Sequence, residues 1–159
     1  VSNSIYGRVS ATHLDAAWRT MSDSASRRGI TLGRRAPNPL LRFDEELSPD
    51  GFEFDITSRY LLEPGDDWDP AWARSVGVSP LAAARIAVLV GWIEDVLSEP
   101  TLTSLQLDLT DGYEPDGIVA LSFSEAPARI TGDVLRESPP CLRYVITRDG
   151  SSDRKETQP

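Results

Sequence analysis

The chain has 159 residues, 40% of them hydrophobic and 26% charged, and carries a formal net charge of −9. Such a composition fits one globular domain able to bury roughly 70% of the surface its unfolded chain exposes, and it excludes fibrous, low-complexity and collagen-like proteins. The acidity disfavours nonspecific attachment to nucleic acid or an anionic membrane, while a lone cysteine, Cys141, rules out an internal disulfide and suits a reducing, cytoplasmic setting.

Val1 to Gly7 contain no basic segment followed by an apolar run, so no secretion signal is expected there. Ser10 or Thr12 can cap a helix whose apolar residues Leu14, Trp18, Met21 and Ala25 recur at helical spacing and stop before Gly29. A short apolar segment, Ile30 to Leu32, follows, and Arg34 to Pro39 reads as a loop because two prolines bracket Asn38. Leu41 and Phe43 alternate with Arg42 and Asp44, and Phe52, Phe54 and Ile56 alternate with Glu53, Asp55 and Thr57. With Ser48-Pro49-Asp50-Gly51 between them as turn chemistry, these runs predict a first hairpin.

Ser79-Pro80 predicts the start of a second helix running to about Ser98, ahead of Pro100. Two apolar stripes, one through Leu81, Ala84, Val88, Trp92 and Val96 and another through Ile86, Leu89, Ile93 and Leu97, make it the centre of the core. Its most apolar part, Leu81 to Ile93, is interrupted by Arg85 and is too short to span a bilayer. Leu105, Leu107 and Leu109, then Val119, Leu121 and Phe123, alternate on either side of a Gly- and Pro-containing turn and predict a second hairpin. Ala128 to Arg136 fits a strand or a short helix, Leu142, Tyr144 and Ile146 a last strand, and residues 150–159 a disordered polar tail. The expected class is α+β: a single domain over 1–149 with a mostly antiparallel sheet of about five strands, two hairpins plus a late strand, packed by two helices.

The charge is unevenly distributed. Residues 1–43 carry a net +5, whereas residues 44–70 carry ten acids against Arg59. The acids and tryptophans Asp44, Glu53, Asp55, Glu63, Asp66, Asp67, Trp68, Asp69 and Trp72 therefore form the candidate partner-binding set, since carboxylates steer a basic protein and tryptophan supplies contact area. The pattern leaves open whether Trp68 and Trp72 face solvent or core. The same carboxylates could serve a sugar-cleaving enzyme or hold a hard cation for a phosphate ester, but the spacing of a calcium loop is absent.

Other chemistry is poorly supplied. His13, the one histidine, sits at a helix start, and no Gly-x-Ser-x-Gly elbow surrounds any serine. Neither a Walker loop nor a dinucleotide fingerprint is present, so no cofactor is expected. Arg27, Arg28, Arg34 and Arg35 could contact phosphate, yet they also suit a helix C-terminus and nearby acids. Lys155 is the only lysine among 16 basic residues, a bias that fits a GC-rich bacterial genome. Tyr6-Gly7 followed by Leu14-Asp15-Ala16-Ala17-Trp18 resembles a stretch of the barstar family of acidic ribonuclease inhibitors over about a dozen residues, with longer spacing and Arg19 in place of an acid. The expectation is a non-catalytic protein-binding module, an immunity- or antitoxin-like inhibitor of a basic partner. A carboxylate-based enzyme and an assembly subunit are the alternatives.

Overall fold

A computed structural model describes residues 4–35, 51–57, 80–109, 115–134 and 142–149. Its elements run β1 (Ser4–Ala11), α1 (Leu14–Arg28), β2 (Thr31–Arg35), β3 (Gly51–Thr57), α2 (Pro80–Leu97), β4 (Leu102–Leu109), β5 (Gly117–Ser122), α3 (Ala126–Val134) and β6 (Leu142–Thr147). The strands form one mixed sheet in the order β2-β3-β1-β4-β6-β5. Every described pairing is antiparallel except β5 with β6.

Strand alternation sorts the sheet into two faces. Ile5 and Val9 of β1, Phe54 and Ile56 of β3, Leu105 and Leu107 of β4, and Tyr144 and Ile146 of β6 point to one side and are almost wholly buried. The helices cover that side: α2 packs against both α1 and α3, and its Ile86, Leu89, Trp92, Ile93 and Val96 join the strand residues in one core. Trp92 lies edge-on to Phe54, with centroids 5.7 Å apart, and its Nε1 donates to the Met21 carbonyl at 3.1 Å, tying α2 to α1.

The helix ends show why these segments stop where they do. Gly29 ends α1 at φ 73, a left-handed conformation suited to glycine. The Ile30 amide donates to the Ala25 carbonyl at 2.8 Å and the Gly29 amide to that of Ser26 at 3.3 Å, which is a Schellman closure. Ahead of α3, the Ser122 amide donates to Glu125 Oε1 at 2.9 Å while the Glu125 amide donates to Ser122 Oγ at 3.2 Å, the reciprocal pair of a capping box.

Several expectations are corrected. Among the described residues the sheet has six strands rather than about five, and three helices pack with it rather than two. Strand β1 carries little signal in the sequence, because its core-facing positions are Ile5, Gly7, Val9 and Ala11 and the two small residues hide the alternation. The residue before α1 is His13, not Ser10 or Thr12, and its side chain makes no capping bond. Arg34 and Arg35 belong to β2 instead of a loop.

Of the two expected hairpins, only the second can be followed through both of its strands, and it does not form. Along residues 53–57 both edges of β3 are taken, by β1 and β2, and the expected partner run at Leu41 and Phe43 lies outside the described residues. Strands β4 and β5 both exist, but β6 is inserted between them. The chain reaches that position through α3, and a parallel pair requires such a crossover where a hairpin cannot serve. The ambiguous stretch after Pro127 is helix as far as Val134, and the Ser122-x-x-Glu125 capping box is its sequence signal. The second helix starts at Pro80 and ends at Leu97, close to expectation. Residues 150–159 lie outside the described residues.

Candidate functional site

The face of the sheet opposite the helices concentrates the charged groups. One row across the strands runs Gly33, Asp55, Tyr6, Asp108, Arg143 and Ile118, and the next runs Arg35, Glu53, Arg8, Gln106, Val145 and Ala120. Two expected partner-binding residues, Glu53 and Asp55, thus share rows with residues of the five other strands. Glu53 is only 5% exposed and occupies the register position between Arg8 and Arg35. Asp55 is half-buried, and a Cβ built on Gly33 would fall 2.7 Å from its Oδ1, so the glycine makes room for the carboxylate. Asp44, Glu63, Asp66, Asp67, Trp68, Asp69 and Trp72 lie outside the described residues.

The best-defined pair on this face is Asp108 with Arg143. Arg143 Nε donates to Asp108 Oδ1 at 2.8 Å and its Nη2 to Oδ2 at 3.0 Å, a two-point grip that fixes both side chains. Asp108 is 7% exposed, and burial pushes its carboxyl up from the ordinary aspartate range against the lowering effect of Arg143. Beside them, Gln106 Nε2 is enclosed with no hydrogen-bond partner. Arg8, Tyr6, Asp108 and Arg143 do not belong to the partner-binding set expected from the sequence. They are separated by up to 137 positions, and only the strand order brings them together.

The N-terminal arginines have internal roles. Arg28 Nη2 and Arg27 Nη2 lie 3.1 and 3.4 Å from Asp95 Oδ2 on α2. Gly91 allows this approach, since a Cβ there would meet the Arg28 guanidinium. Arg34 lies 4.6 Å from the centre of the Phe52 ring and 5.9 Å from that of Trp18, a cation–π stack completed by the edge-on contact of those rings. Three of the four arginines, Arg27, Arg28 and Arg34, thus have partners within the chain.

The same helix pair carries a pH dependence. The hydrogen bond from Ser24, followed by Arg28, holds the Asp95 carboxyl below its ordinary range. Hydrogen bonds from Thr101 and Thr20 do the same for Glu99. A carboxyl whose folded value is depressed contributes stability above its unfolded value and loses it as pH falls through the folded one. Asp108, raised, acts in the opposite sense: its contribution is present at low pH and is lost as pH rises through its folded value. Thermal midpoints measured from pH 6 down to pH 3 should therefore fall below about pH 4, and more shallowly in a Ser24→Ala, Thr101→Val double variant. An identical acid limb in the two proteins would remove these hydrogen bonds as the cause.

A shallow cleft of about 440 Å³ lies where α2 ends and α3 begins, lined by Glu94, Leu97, Phe123, Pro127, Arg148 and Asp149 among others. Arg148 is engaged there: its guanidinium donates to the carbonyls of Glu99 and Leu102 and lies 4.7 Å from the centre of the Phe123 ring. Among the described residues no three His, Cys, Asp or Glu side chains converge to hold a metal, and no helix is long and apolar enough to cross a membrane. Comparison of the chain with family models, with curated proteins and with solved structures returned no match.

Proposed function

We propose that the chain is a non-catalytic protein-binding module, an immunity- or antitoxin-like inhibitor acting in the bacterial cytoplasm, whose acidic stretch 44–72 engages a basic protein. One observation carries this reading. Several described arginines have partners within the chain: Arg27 and Arg28 contact Asp95, Arg34 stacks on aromatic rings, Arg129 pairs with Asp133 and Arg143 with Asp108. Residues 44–70 meanwhile keep ten acids for one arginine. That stretch carries far more negative than positive charge, and an acidic surface accelerates association with a basic partner and loses affinity as salt rises. Within the set, buried Glu53 is an internal group. Asp44, Asp55, Glu63, Asp66, Asp67 and Asp69 supply the field, and Trp68 and Trp72 the contact area.

Affinity purification of the tagged chain from its host at low salt, followed by mass spectrometry, should retain one basic protein that salt releases. Replacing Asp66, Asp67 and Asp69 together by lysine should weaken that complex at least about tenfold with an unchanged circular dichroism spectrum. Unchanged affinity would remove the acidic stretch as the interface, and retention of no basic protein would remove the inhibitor reading itself.

A further inference from the structure

We propose that two copies of the chain associate through β5, paired edge to edge and antiparallel about a twofold axis, so that the sheet of one copy continues into that of the other. Among the described residues β5 pairs with β6 alone and ends the sheet. Its sequence, Gly-Ile-Val-Ala-Leu-Ser, contains no charge and no proline. Sheet edges left to solvent are normally blunted by charged side chains, proline or a bulge, because their unpaired backbone groups template further strands. The opposite edge obeys that rule, as β2 contains Arg34 and Arg35. The β5 edge does not.

Side-chain burial agrees with an edge made to be covered. Ile118 is 66% exposed and is the one large hydrophobic side chain left exposed among the described residues. Val119 points to the core side but is only half-buried, whereas Leu121, one step further along the same face, is buried.

The charge of the molecule selects the occupant. Two chains of net charge −9 repel one another wherever acidic surface meets acidic surface, and that repulsion is least along an uncharged strand such as β5. A basic protein, by contrast, gains no electrostatic attraction from a strand without charge. Antiparallel pairing about a twofold axis is self-complementary: centred on Val119, it sets Ile118 of each copy beside Ala120 of the other and covers both. This association stands independently of the acidic stretch and its partner.

Sedimentation velocity of the chain at about 0.15 M ionic strength should show the 17.4 kDa species converting to one of twice that mass as concentration rises. An Ile118→Lys, Ala120→Lys double variant places two like charges against two and should move the midpoint of that conversion upward at least about tenfold, equivalent to about 1.4 kcal/mol. Both positions are exposed, so its thermal midpoint should stay at the wild-type value. Amide hydrogen exchange supplies a readout that needs no variant, since residues 117–122 should gain protection with concentration while β2 does not. A wild-type chain that stays monomeric throughout, a conversion that the double variant leaves unmoved, or exchange at 117–122 that ignores concentration would each overturn the proposal.

Discussion

Trp92→Ala should destabilise the protein by about 3–5 kcal/mol, the range for deleting a fully buried aromatic side chain. Trp92 is wholly buried and among the largest of the enclosed side chains. It touches the sheet through Phe54 and α1 through the Met21 carbonyl, so its loss opens a cavity where three elements meet. Trp92→Phe retains an aromatic ring against Phe54 but discards the donor and part of the volume, and it should cost roughly 1–2 kcal/mol. Urea unfolding followed by far-ultraviolet circular dichroism measures both, as a lower midpoint at unchanged slope. If Trp92→Ala lost less than about 1 kcal/mol, neighbouring side chains would have to refill the site, and Trp92 could not be the junction described.

Gly7→Val should cost at least about 3 kcal/mol, at or beyond the upper end of ordinary overpacking. The position lies on a central strand with β3 and β4 on its two sides. A Cβ there would run into the Phe54 ring and would fall 2.7 Å from the Gln106 carbonyl oxygen. The ring could shift at the expense of its contact with Trp92, but the carbonyl is part of the β1–β4 ladder and cannot yield without distorting it. Pairing the substitution with Phe54→Leu should recover part of the loss, because the two obstacles are separate and only one is a side chain. A double-mutant cycle reads that coupling, and strict additivity of the two changes would mean that the ring is not what Gly7 accommodates.

Of the candidate site, the alternation around Phe52, Phe54 and Ile56 correctly placed Glu53 and Asp55 on the face away from the helices. It could not show that Glu53 is buried, since that depends on the strands beside it. The neighbours that give this face its character, Arg8, Tyr6, Asp108 and Arg143, sit on three strands remote in sequence and share rows only through register. The arginine cluster was visible as a run of charge, but its engagement by Asp95 and by aromatic rings required helix packing and strand pairing to be known.

Local rules determined much of the rest. Proline at the first turn and glycine past the last set the limits of α2 and α1, and helical or twofold spacing marked α1, α2, β3, β4 and β6, because these signals act within a few residues. Strand order was decided only by the tertiary structure. The segment Ser4–Ala11 shows weak alternation because two core-side positions are small, Gly7 leaving its space to Phe54, yet it lies inside the sheet between β3 and β4. Likewise β4 and β5 look like a hairpin, but β6 pairs with both and lies between them, an arrangement set by contacts remote in sequence that no local pattern encodes.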